Sequence, residues 1–195
     1  MAFFPMMVEL NNKKVLVIGG GEEGKKKTEV LCSFGASVTL IAKDALQEAI
    51  MLAERYEEKE FEDSDIEGEE YTLVVAATDD RKLNERISML AGRKRIPVNI
   101  VDDMELCTFI FPAIIKEKDV VCAVSSGGKS PYITQYIKKL IAGILPQRIG
   151  EINERMGEYR INAKREIADA VERRKYLRSK LEEELEHIST IYHPL

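Results

Sequence analysis

Tryptophan is missing from this chain of 195 residues, and histidine nearly so, with His187 and His193 both in the last ten positions. A histidine-based metal site in the core is thereby excluded, and no protein metal site is expected. The three cysteines, Cys32, Cys107 and Cys122, are odd in number and form no CxxC pair. They read as reduced thiols, two of them in strand-like apolar runs, and not as a disulfide framework. No stretch approaches the roughly 18 unbroken apolar residues of a membrane span. The start, MAFFPMMVELNNKKVLV, has neither a basic first region nor a small-residue cleavage site. A cytoplasmic protein with no membrane partner is expected.

What the chain does contain is enough to fold: 45% hydrophobic and 32% charged residues, the balance of a globular protein and not of a disordered or collagen-like one. The length suits one core plus an appendage. A net charge of −5 and a pI near 5.3 argue against nucleic acid as a partner. The acid is unevenly spread, with twelve Asp or Glu against three Lys or Arg between Lys43 and Glu70, and the remainder is net basic.

From Lys14 to about Val101, short apolar runs alternate with helix-compatible stretches, the pattern of parallel strands joined by crossover helices. Strands are predicted at Val15–Ile18, Ser37–Ile41, Thr72–Ala77 and Pro97–Val101, with helices at Glu23–Phe34, Leu46–Glu54 and Lys82–Arg93 and a weak acidic piece over Glu60–Glu70. Cys107–Ile115 and Val120–Ser125 then read as a β-hairpin around the charged turn Lys116–Asp119. Ser130-Pro131 opens a further helix, and the proline-free stretch from Gln147 to about His187 is predicted to be a small helical subdomain.

Gly19, Gly21 and Gly24 stand in the frame GxGxxG, directly after a predicted strand and directly before a helix. Glycines so placed permit a tight turn, let the backbone approach a pyrophosphate and pack helix on strand, while the helix N-terminus offers unpaired N–H groups. The expected fold is an α/β, Rossmann-type parallel sheet, and the expected ligand a dinucleotide. Asp44, at the end of the second strand, has the spacing of a carboxylate that holds ribose hydroxyls, although Lys43 beside it could attract a 2′-phosphate and Asp44 could equally cap the next helix. NAD is preferred to NADP. Thr78 falls at the end of the third predicted strand, in reach of the same crevice, while Asp79 or Asp80 suits the cap of the helix that follows.

Asn99-Ile100-Val101-Asp102-Asp103 puts a carboxylate at the carboxyl end of a buried strand, where partial desolvation would help Asp102 exchange a proton; an ordinary turn is the competing reading. Ser125-Ser126-Gly127-Gly128-Lys129-Ser130 joins strand to helix and could gather N–H groups, hydroxyls and an ammonium around a carboxylate. It is no Walker loop, since the required first glycine would fall at Ala123.

With these residues in view, the chain resembles the precorrin-2 dehydrogenase and sirohydrochlorin ferrochelatase family, the amino-terminal module of siroheme synthase in free-standing form. The resemblance runs nearly end to end, through VLVIGGGEEGKKKTEVLCSFGASVTLIA (15–42), VVAATDDRKLNERI (74–87), PVNIVDDMELCTFIFPAII (97–115), AVSSGGKSP (123–131), LPQRIGEI (145–152) and ERRKYLRSKL (172–181). It implies oxidation of the tetrapyrrole precorrin-2 to sirohydrochlorin by NAD; some members also insert ferrous iron and others only dehydrogenate. By the same resemblance Asp102 matches the essential aspartate, Ser126 the second serine of the SSGG loop, and Glu22, Glu23, Lys43 and Asp44 cofactor-contact positions. Asn99, Ser126, Gly127, Gly128 and Lys129 are the expected substrate-binding residues, with Arg160, Arg173 and Arg174 as further candidates for substrate carboxylates. A homodimer is implied, organised as an NAD-binding domain over 1–112, a dimerisation segment over 113–146 and a helical domain over 147–195. Gly24, often alanine in relatives, is a departure that should leave nucleotide binding intact. A non-catalytic NAD(H)-sensing module and a chelatase that uses the glycine fold only as scaffold are the alternatives.

Overall fold

A computed structural model describes residues 3–191, with side chains through Glu186. The expectations that rest on His187 and His193 lie outside the described side chains. The chain divides into two compact units, Met1–Phe111 and Pro112–Leu195.

The first unit is the alternating one. Strand β1 (Lys14–Gly20) leads into α1 (Glu22–Ser33), β2 (Ser37–Ala45), α2 (Gln47–Leu52), β3 (Arg55–Glu58), α3 (Asp63–Glu67), β4 (Leu73–Ala76), α4 (Arg81–Lys94) and β5 (Val98–Ile100), then a short 3₁₀ turn, Met104–Leu106. The five strands are parallel in the order β3-β2-β1-β4-β5. Val15–Ile18 sits at the centre, bonded to β2 on one side and β4 on the other and no more than 2% exposed. An unbroken apolar run is what a strand covered on both faces requires. Each such side chain contributes on the order of 2 kcal/mol by leaving water.

Two layers of core flank the sheet. Leu16, Ile18, Val74 and Ile100 pack with Ile66, Ile87 and Leu90 on one face, and Val15, Val17, Leu40 and Val75 with Leu31 and Ala49 on the other. Helix α1 stops where Gly35 takes a left-handed φ of +78°, and α4 starts on Asp80, whose carboxylate accepts from the Lys82 and Leu83 amides at 2.9 and 3.2 Å. Asp80 is therefore a helix cap, whereas Asp44 lies within β2 and caps nothing.

Strand β3 lies inside the acidic region that the sequence left without a strand. Cys107, expected to begin the hairpin, instead belongs to the first unit. Its buried sulfur accepts from the Ile100 amide at 3.1 Å and lies 3.2 Å from the carbonyls of Ile100 and Asp103. Burial pushes this thiol above its ordinary range, which keeps its proton on as a donor.

In the second unit, β6 (Ala113–Glu117) and β7 (Val120–Val124) form an antiparallel hairpin turning at Lys118-Asp119, followed by α5 (Pro131–Ile144), α6 (Ile149–Glu166) and α7 (Ala170–Ile191). Helices α6 and α7 are fastened through Glu184, which accepts from Arg155 at 2.8 Å and from the Tyr159 hydroxyl at 3.1 Å. Arg173 donates to the carbonyls of Ile167 and Ala168 at the end of α6, so this guanidinium, a candidate for substrate carboxylates, is engaged within the fold. No helix among the described residues is long and apolar enough to cross a membrane.

Candidate active site

The order of strands reverses between β1 and β4, and at their carboxyl ends a cleft of about 930 Å³ opens. Its floor is Gly19–Glu23, one wall is Ile41–Asp44 with Lys59–Phe61, and the other is Ala77–Asp80 with Lys82, Leu83 and Arg86. Gly19 has φ +105°, and a Cβ there would run into the Ala77 carbonyl. A Cβ on Gly24 would meet the carbonyl of Gly19, so glycine at 24 lets α1 close on β1. Gly21 differs: it precedes α1 in extended conformation, and a Cβ on it would meet nothing within 4 Å.

No side chain caps α1, which leaves its first N–H groups for a ligand. Glu22 and Glu23 occupy this first turn but are drawn along the helix by Lys25 at 3.3 Å and Lys26 at 2.7 Å. Open space at Gly21, uncapped amides and an obligatory glycine at 19 fit a pyrophosphate laid against backbone.

Thr78 is on the cleft wall, yet its hydroxyl donates to Asn84 Oδ1 at 2.7 Å while Asn84 Nδ2 donates back to the Thr78 carbonyl at 2.9 Å. This pair, with Asn84 buried, fixes the loop after β4 and leaves Thr78 as a shaper of the wall. Lys43 and Asp44 are exposed at the end of β2, and Lys43 forms an ion pair with Glu60. That contact holds the Lys43 ammonium above its ordinary pKa and the Glu60 carboxyl below its own. Glu60, Phe61 and Arg86 were not singled out from sequence. The signal available was Phe61, a lone aromatic in the acidic run; it is buried, with the Arg86 guanidinium 5.8 Å from its ring centre.

Asp102 follows β5 in a tight turn with φ +61°, at the same carboxyl-terminal edge of the sheet as the glycine loop. The carboxylate is exposed, so the partial desolvation expected of it is not present. What the fold supplies is placement: the turn is pinned by Cys107, as above, and by Asn99, whose buried amide donates to the Phe109 carbonyl at 3.1 Å. The donor side of Asn99 is thus occupied internally and not offered to a substrate. Lys27 of α1 is half-buried and electrostatically coupled to Asp102.

In the second unit Gly127 and Gly128 are consecutive left-handed residues, φ +65° and +78°, a reversal that side chains would resist. Ser126 closes this loop on itself, its hydroxyl donating to the Ser130 carbonyl and accepting from the Ser130 amide, both at 3.0 Å, and Ser130 caps α5. Lys129 is exposed. Among the described residues no group of three or more His, Cys, Asp or Glu side chains is arranged to hold a metal ion.

Sheet order, glycine loop and cleft together define a Rossmann-type dinucleotide-binding protein. The family model described as "Putative NAD(P)-binding" matches residues 6–113, and the chain belongs to this family. It is 36% identical to a siroheme synthase of Ruthia magnifica over 178 residues, 89% of this chain and 37% of that protein. To a siroheme synthase of Methylococcus capsulatus it is 37% identical over 186 residues, 93% of this chain and 39% of that protein. The chain thus spans under two-fifths of the length of these relatives. Among solved structures it is similar in fold to SirC, precorrin-2 dehydrogenase, with a TM-score of 0.72 at 21% identity, covering 96% of this chain and all of that one.

Proposed function

We propose that the chain oxidises precorrin-2 to sirohydrochlorin with NAD as the oxidant. The observation that carries this reading is that one sheet edge brings together a backbone cradle for a dinucleotide and the Asp102 carboxylate. Identity to siroheme synthases across nine-tenths of the chain supports it.

The bound dinucleotide supplies the hydride acceptor. Gly19–Gly24 and the first amides of α1 bind the pyrophosphate, and Asp44 accepts from ribose hydroxyls. Asp102, exposed at the turn after β5, takes the proton that leaves with the hydride, directly or through water. In the second unit, the exposed Lys129 ammonium on the loop before α5 is the group that receives substrate carboxylates.

Helix α5 supports a homodimer formed by segment 113–146: Tyr132, Tyr136, Leu140 and Ile144 are 86, 62, 52 and 81% exposed on it, more apolar surface than a lone helix ordinarily leaves in water. The three-part division of the chain at 112 and 146 and a cytoplasmic location belong to the same proposal.

Anaerobic absorbance spectroscopy of precorrin-2 with NAD tests the reading: sirohydrochlorin and NADH should form in equal amounts. Absence of both defeats it. Adding ferrous iron afterwards reveals whether this member also chelates. Light scattering should give twice the chain mass.

A further inference from the structure

The end of β2 offers a cation to the cleft, Lys43, next to a carboxylate, Asp44. Alone, these two residues leave the choice of dinucleotide open, because an ammonium suits a 2′-phosphate and a carboxylate suits free ribose hydroxyls. The fold adds a third group. Strand β3 pairs with β2, and the Lys59 amide donates to the Ala42 carbonyl at 3.2 Å, which turns the following residue against Lys43. That residue is Glu60, and it pairs with the Lys43 ammonium. Lys59 itself is held by Asp65 at 2.5 Å and Glu57 at 3.4 Å, and Arg86 by Asp63 at 2.5 Å.

We infer that Glu60 sets the preference for NAD over NADP, by neutralising the one side chain of β2 that a 2′-phosphate would use. A phosphate arriving here must displace the Glu60 carboxylate from Lys43 and then lie between Glu60 and Asp44, where like charges repel it. A ribose 2′-hydroxyl brings no charge and donates to the Asp44 carboxylate, leaving the Lys43–Glu60 pair intact. The inference rests on the dehydrogenase reading only in placing a dinucleotide in the cleft.

Calorimetric titration of the full chain with NAD and NADP at low ionic strength tests it. The wild type should bind NAD more tightly. Glu60→Gln should tighten NADP by about fivefold, the scale of one exposed charge pair, and leave NAD within about twofold. The gain should vanish in Lys43→Ala/Glu60→Gln. Both side chains are exposed, and circular dichroism should show the variants folded. Unchanged NADP affinity in Glu60→Gln, a gain that survives loss of Lys43, or a wild type that prefers NADP overturns the inference. Failure of the wild type to bind either nucleotide instead overturns the dinucleotide reading beneath it.

Discussion

The Lys27 ammonium lies 4.6 Å from the centre of the Phe111 ring, a half-buried cation resting on an aromatic face. The two lysines before it on α1, Lys25 and Lys26, pair with Glu22 and Glu23, whereas Lys27 packs on Phe111. Burial lowers its pKa from the ordinary 10.5, against the opposing pull of Glu23 and Asp102. The charged form is therefore disfavoured in the folded state. Between the lowered folded value and 10.5 the unfolded chain binds more protons, so stability rises with pH across that window. Lys27→Met should raise the unfolding free energy from urea titration at neutral pH, by about a few tenths of a kcal/mol once water screening is allowed for, and the advantage should shrink toward pH 10.5. A difference that grows with pH would contradict this.

Gly19 and Gly21 should respond oppositely to substitution. Gly19→Ala places a Cβ against the Ala77 carbonyl at φ +105°, and should cost about 3 kcal/mol of stability in denaturant titration. Gly21→Asp meets open space, should unfold normally, and should instead lose NAD affinity by repelling the pyrophosphate. Equal affinity in the second variant would remove the proposed pocket.

Thr28 is wholly buried on α1, and its hydroxyl has no hydrogen-bond partner. A buried orphan of this kind costs about 1 to 3 kcal/mol. Thr28→Val keeps the shape and removes the hydroxyl, and should raise the melting temperature. A fall would show that the hydroxyl is satisfied in solution.

Asp102→Asn should cut dehydrogenation by about a hundredfold or more while NAD binds as before, because the carboxylate serves proton transfer and lies outside the glycine loop. Turnover equal to wild type would defeat its role.

The parallel sheet was legible because Val15–Ile18, Thr72–Ala77 and Pro97–Val101 are apolar runs punctuated by glycine and proline, the form a doubly covered strand must take. Strand β3 was not. Arg55-Tyr56-Glu57-Glu58 is an edge strand with no fully buried residue, and an edge needs backbone pairing more than apolar side chains. The hairpin was placed too early because Cys107–Phe111 has strand-like composition, yet its backbone and thiol are taken by β5 and the turn after it. Asn99, expected among the substrate-binding residues, turns its amide inward to the Phe109 carbonyl, a contact that local pattern does not carry. The two cleft walls, to which Glu60 and Arg86 respectively belong, depend on contacts between distant segments, which no local pattern carries.

The pyrophosphate end of the cleft is made of amides and glycines, and the carboxylates of Glu22 and Glu23 are balanced by lysines one turn along. Attraction of that kind is dipolar and dies away within a few ångströms of the surface, unlike the reach of net charge. What reaches farther is the repulsion of a net charge of −5 and of the acid around Glu60, so NAD capture should quicken as salt is added: this fold gathers its nucleotide by collision, with no attraction from afar.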